Sequence, residues 1–127
     1  MEMIQGMHHI SMNCEKGMEF EQVLVFYRDI LGLTVCREWE NGIMLSAGSL
    51  LIEIFTTGGA VRETGAIRHF AFAVSDTDAC AERVAAAGYT VFVHPKSVCI
   101  PSDPPLRARV AFCRGPLGEE IEFFQEA

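Results

Sequence analysis

The sequence predicts an α+β fold made of two βαβββ modules in tandem, and three observations carry that reading. Apolar residues alternate with period two over several short stretches, and two longer stretches show helical spacing instead. The order of these segments, a strand, a helix and then three strands, occurs twice. A His stands in the first strand of each copy and a Glu in an apolar run stands in the last: His9 and Glu53, then His69 and Glu122.

The first module, about residues 7–57, opens with alternation over 7–13 that puts His9, Ser11 and Asn13 on one face and Ile10 and Met12 on the other. Over 19–31, Phe20, Val23, Leu24, Tyr27 and Leu31 recur at helical spacing, and Gly32 supplies the stop. Strands follow over 33–38, 43–47 and 50–55, with turns at Asn41-Gly42 and Gly48-Ser49. Residues 58–66 read as a connector.

The second module, about 67–125, begins by alternating His69, Ala71 and Ala73 against Phe70, Phe72 and Val74. The bulky face suits packing under a helix, and the small face leaves room for the His to enter a cavity. Asp76 or Thr77 can cap a helix running to Ala87, with Gly88 ending it. Strands over 89–94, 108–113 and 119–124 complete the module, the last two joined through Gly115-Pro116-Leu117-Gly118. The intervening segment 95–106 carries Pro95, Pro101, Pro104 and Pro105; it cannot be a central strand and is expected as a loop, of a length that is often functional.

At 127 residues the chain has the length of one domain. Ten basic and 17 acidic residues give a net charge of −7, with no Lys/Arg stripe, so a nucleic acid backbone would be repelled. No apolar run is long enough to span a bilayer, and residues 1–6 show neither a basic region nor a sustained apolar one. The expected compartment is the cytoplasm, with no membrane partner. Five cysteines, Cys14, Cys36, Cys80, Cys99 and Cys113, form no C-x-x-C pair and read as reduced, structural thiols.

Glu53 lies in Leu50-Leu51-Ile52-Glu53-Ile54-Phe55 and Glu122 in Glu120-Ile121-Glu122-Phe123-Phe124. An ionised carboxylate in such a run is costly unless it is paired or bound to a cation. Taken singly, each His would be structural and each Glu a solvated strand residue. The repetition favours a metal cage of His9, Glu53, His69 and Glu122. Of the adjacent imidazoles His8 and His9, the register with 67–74 selects His9, leaving His8 on the other face or at the strand edge. Lys96, Arg107 and Arg109 flank the proline-rich segment and could meet an anionic substrate, although solvated charges account for them equally simply. Cys99 stands in that segment without a basic neighbour, and Asn13, Trp39, Phe55 and Phe124 are candidate pocket lining.

These motifs resemble those of the vicinal oxygen chelate superfamily, which includes glyoxalase I, methylmalonyl-CoA epimerase, fosfomycin-resistance enzymes, bleomycin-binding proteins and extradiol dioxygenases. The resemblance is carried by His8-His9-Ile10-Ser11-Met12, Phe26-Tyr27-Arg28-Asp29-Ile30-Leu31-Gly32-Leu33, Leu51-Ile52-Glu53-Ile54-Phe55, Arg68-His69-Phe70-Ala71-Phe72-Ala73-Val74 and Pro116-Leu117-Gly118-Glu119-Glu120-Ile121-Glu122-Phe123. It implies a single domain over 1–127 with a cup-shaped mixed sheet and helices on its outer face, a homodimer, and a divalent ion on His9, Glu53, His69 and Glu122. Zn, Ni, Co, Mn or Fe would suit such nitrogen and oxygen donors.

The activity it implies is that of a lyase or isomerase acting on a small oxygenated substrate through a metal-chelated enediolate, with Glu122 or Glu53 as the base. Thiol transfer of the fosfomycin-resistance type and non-catalytic binding of a drug-like molecule are the alternatives. Where bacterial glyoxalase I carries an Arg and an Asn that engage glutathione, this chain has Asn13 and Thr57.

Overall fold

The computed structural model describes residues 3–59 and 65–127, so residues 60–64 of the expected connector lie outside the described residues. The chain forms two compact units, Met1–Val61 and Arg62–Ala127. Each contains a four-stranded mixed sheet, and the predicted βαβββ order appears in both.

In the first unit, β1 (His9–Asn13) is followed by α1 (Met18–Leu24), a π-helical continuation (Val25–Ile30), β2 (Thr34–Trp39), β3 (Gly42–Ala47) and β4 (Leu50–Phe55). The sheet order is β1-β4-β3-β2, with β1 parallel to β4 and the other neighbours antiparallel. Ile10 and Met12 pair with Ile52 and Ile54, which pair in turn with Leu45 and Ile43, so one apolar face runs across three strands. The Tyr27 hydroxyl donates to Met12 Sδ at 3.7 Å, which brings the helix onto this face. Val23, Phe26 and Tyr27 are fully buried with Leu45, Ile52 and Ile54.

The sequence predicts one uninterrupted helix over 19–31, but its second half is wound wider, as the bond from Leu31 N–H to the Phe26 carbonyl at 2.9 Å shows. Phe26 and Tyr27 are neighbours in sequence and both buried there, with their rings edge to face at 5.0 Å.

The second unit contains β5 (Phe70–Ala73), α2 (Thr77–Ala86), β6 (Val91–Ile100), β7 (Leu106–Arg114) and β8 (Glu120–Glu126), in the sheet order β5-β8-β7-β6. Ala111 and Cys113 face Phe123 and Ile121 across β7 and β8, and all four are buried. Asp76 caps α2 by accepting from the Ala79 N–H at 3.0 Å, as its position before the helix suggested. Thr77 is fully buried, its hydroxyl donating to the Arg109 carbonyl and its N–H to Gln125 Oε1, which anchors the start of α2 to β7 and β8.

The segment expected as a loop over 95–106 is mostly strand. β6 continues through Ile100 and pairs with β7 from Lys96↔Val110 to Ile100↔Leu106, leaving residues 101–105 as the connection, with a cis bond between Asp103 and Pro104. Pro95 is tolerated because β6 is an edge strand and its register shifts between Val93 and Lys96, where no ladder bond is required of the proline.

Candidate functional site

The pairing of first strand with last places each His beside its Glu. In the first unit Ser11 is the register partner of Glu53, and in the second Ala71 is the partner of Glu122. Each His lies two residues before that partner, on the same face, and reaches its Glu diagonally across the neighbouring strand. His9 Nε2 is 3.5 Å from Glu53 Oε1, and His69 Nε2 is 3.2 Å from Glu122 Oε1. His69 stands one residue ahead of β5 rather than inside it.

The carboxylates sit beneath the imidazoles. The side chains of Glu53 and Glu122 are 11% and 13% exposed, against 39% and 29% for His9 and His69. On the other flank, Met44 and Phe112 are the β3 and β7 register partners of the two Glu residues. Phe112 also meets the His69 ring edge to face at 5.0 Å. Each carboxylate therefore has an apolar wall on one side and an imidazole partner on the other.

The spacing fits a shared ion. Two donors each about 2.1 Å from a divalent ion stand about 3.0 Å apart at a right angle and about 3.4 Å apart at the tetrahedral angle. The His69–Glu122 separation of 3.2 Å falls in this range and the His9–Glu53 separation of 3.5 Å lies just beyond it, and nitrogen and carboxylate oxygen suit zinc and its transition-metal neighbours. Among the described residues no three His, Cys, Asp or Glu side chains gather as a metal-binding group, so within each unit the donors come as a pair.

The other residues singled out in the sequence divide by face. Asn13 and Phe55 pair at the end of β1 and β4, on the face of Glu53. The Asn13 side-chain oxygen Oδ1 accepts from the Thr57 N–H at 3.0 Å and from its hydroxyl at 3.3 Å, so the two residues bond to each other. Phe55 meets Trp39 edge to face at 5.6 Å. Gly42 is what lets the indole lie there, since a Cβ on it would run into Trp39 Cζ2.

Phe124 and Lys96 share the face of Glu122 by their pairing with Val110. Arg107 and Arg109 alternate with Ala108 and Val110 and so turn to the opposite face. There Arg109 donates Nε and Nη2 to the Asp78 carboxylate, both at 2.9 Å, and Nη1 to Ser97 Oγ at 3.3 Å. The Asp78 carboxyl is held below the usual range by these hydrogen bonds. Arg107, Arg109 and Cys99 line a cleft of about 430 Å³ on that side.

Burial pushes the Cys14 thiol up to about 11 and the Cys113 thiol up to about 12, while Cys36 and Cys99 are exposed; all five cysteines are free. Sequence reasoning missed Met44 and Phe112, whose place beside the carboxylates depends on cross-strand register. It also missed the contact of His8 with His9, whose two Nδ1 atoms are 2.8 Å apart.

The family model for the Glyoxalase/Bleomycin resistance protein/Dioxygenase superfamily matches residues 6–123. No curated protein is similar enough to match. Among solved structures, a glyoxalase family protein from Bacillus anthracis is similar at a TM-score of 0.73 and 22% identity, covering 100% of this chain and 99% of that one. A lactoylglutathione lyase from Agrobacterium tumefaciens gives 0.67 and 17%, covering 98% and 96%. The antibiotic binding protein TnmS3 from Streptomyces sp. CB03234 gives 0.72 and 17%, covering 100% of both chains. At these identities the likeness is one of fold.

Proposed function

This chain belongs to the Glyoxalase/Bleomycin resistance protein/Dioxygenase superfamily, and on that premise we propose that it is a metal-dependent, glyoxalase-like lyase or isomerase acting on a small oxygenated molecule. The observation that carries the reading is the twice-built pair of a shielded carboxylate and an imidazole, His9 with Glu53 and His69 with Glu122. These four side chains are the proposed ligands of a divalent ion, one of Zn, Ni, Co, Mn or Fe. A bound ion would supply Lewis-acid polarisation of the substrate.

The residues of the chain then move the proton. A Glu122 or Glu53 oxygen takes it from one substrate carbon and returns it to the neighbouring carbon, and the apolar flank at Phe112 or Met44 keeps water from competing. Asn13 and Thr57 satisfy each other and bring no positive charge, which favours a substrate without a glutathione carboxylate to anchor. The protein is further proposed to be a cytoplasmic homodimer forming one domain over 1–127.

Glu122→Gln is expected to abolish turnover in a screen of 2-oxo acids, hemithioacetals and acyl thioesters while leaving a weakened metal site. Full metal-dependent turnover by that variant would remove Glu122 as the base.

A second reading has its own observation. Trp39 is 37% exposed and rests against Phe55 on the Glu53 face, a surface suited to a flat apolar molecule, so the chain could act as a non-catalytic binder. Thiol transfer to an epoxide would differ from both by yielding a covalent adduct. Metal analysis separates binder from enzyme: a stoichiometric divalent ion in protein purified without added metal supports the enzyme, and rejection of added metal supports the binder.

A further inference from the structure

Arg107 and Arg109 project from β7 on the side of the sheet away from Glu122, and the cleft of about 430 Å³ that they line shares no residue with the four proposed ligands. Register builds it in two rows. Ser97, Arg109 and Gln125 are partners across β6, β7 and β8, and Cys99 and Arg107 are partners one step along. Parity turns these five side chains to one face. Ala127 lines the cleft beside Arg107, its N–H donating to the Arg107 carbonyl at 3.1 Å.

The hydrogen bonds around the cleft consume its acceptors and spare its donors. Gln125 Oε1 takes the Thr77 N–H at 2.9 Å, which fixes the amide and leaves both Nε2 hydrogens unclaimed among the described residues. Ser97 Oγ accepts from Arg109 Nη1 at 3.3 Å, so its own proton is there to be donated. The Asp78 carboxylate beside the cleft is occupied by Nε and Nη2 of Arg109, both at 2.9 Å. Among the described residues the Arg107 guanidinium makes no ion pair and no side-chain hydrogen bond.

What is left for a ligand is an arginine fork, an amide NH₂ and a hydroxyl, all of them donors. Such a set suits an anion, and a carboxylate or phosphate can take two parallel bonds from the guanidinium. The cleft falls within the roughly 300–1,000 Å³ of small-molecule sites, which gives room for an organic body behind the charged group.

We infer that the cleft between β6, β7 and the start of α2 binds a small organic anion, a carboxylate or a phosphate monoester, with Arg107 supplying the charge and Gln125 and Ser97 the further hydrogen bonds. Arg109 is the positioning residue, since its own fork is spent on Asp78 and its remaining contact orients Ser97. Exposed Cys99 faces Arg107, so a bound anion covers its thiol.

The test titrates the full chain with phenyl phosphate, benzoate, inorganic phosphate and uncharged benzyl alcohol, reading the Gln125 side-chain amide and the Cys99 backbone amide by proton–nitrogen correlation spectra. Two variants accompany it. Arg107→Gln removes an exposed charge, and Gln125→Glu keeps the acceptor for Thr77 while replacing the two amide donors with a negative charge. The expected result is that phenyl phosphate or benzoate shifts both amides, the tighter of the two identifying the head group, and that each variant weakens binding about tenfold or more. The bound anion is also expected to slow alkylation of Cys99 and not of Cys36, the exposed thiol of the first unit.

No response to either organic anion at millimolar concentration would overturn the inference, as would equal affinity in Arg107→Gln or binding of benzyl alcohol as tight as that of the anions. Inorganic phosphate bound as tightly as phenyl phosphate would overturn the organic character of the ligand.

Discussion

The two His–Glu pairs were legible residue by residue because a strand assigns faces by parity, whereas the parallel pairing of first with last strand that brings each pair together emerged only in the structure. Glu53 was marked by its apolar neighbours, and it is 8% exposed. The His8 ring contact was not legible, since parity places adjacent residues on opposite faces and His8 escapes that rule by standing just outside β1. Trp39 provides an optical check of the surface beside Glu53, being the single tryptophan of the chain. Gly42→Ala is expected to swing the indole away from Phe55, shifting its fluorescence to longer wavelength and costing about 1 kcal/mol in a denaturant titration. The thiols give another test: alkylation of the native protein is expected at Cys36 and Cys99, with Cys14 and Cys113 modified only on unfolding. Because burial raises these two thiols from 9.0 to about 11 and about 12, the native state holds their protons more tightly than the unfolded chain. Stability from this source is complete below pH 9.0 and is lost as pH climbs through those values, which an alkaline series of thermal melts reads directly.

Among the elements, β6 shows where composition misleads. Its prolines argued against a strand, but Pro95 occupies a register shift on an edge, and the other three fall in the connection at 101–105. An edge position is a property of sheet order, and sheet order is not encoded in any one segment. The same register that extends β7 turns Arg107 and Arg109 away from Glu122 and lets Arg109 hold α2 through Asp78. The Asp78 carboxyl is depressed in the folded state, so its stabilising effect is present above its unfolded value and disappears as pH falls through the folded one. Asp78→Asn is accordingly expected to melt slightly earlier than the unaltered chain near neutral pH, with the gap closing in acid. Because the pair is on the surface, added salt should shrink the gap as well.

For the molecule as a whole, the tandem βαβββ order and the superfamily were both readable from sequence, since strand alternation, helix stops and the motifs around His9, Glu53, His69 and Glu122 recur along the chain. The sheets themselves were less so: each unit closes its own four-stranded sheet, with the two separate orders β1-β4-β3-β2 and β5-β8-β7-β6. Met44, Phe112 and the Trp39–Phe55 contact take their places beside Glu53 and Glu122 through register, and these have no sequence signature of their own. No helix among the described residues is long and apolar enough to cross a membrane. The central claim, that His9, Glu53, His69 and Glu122 are ligands of a divalent ion, is tested most directly by Co²⁺ titration of the unaltered chain beside Glu53→Gln and Glu122→Gln. Tight, stoichiometric binding by the unaltered chain and weaker binding by each variant is the predicted result, whereas equal affinity in all three, or no binding by the unaltered chain, would contradict it.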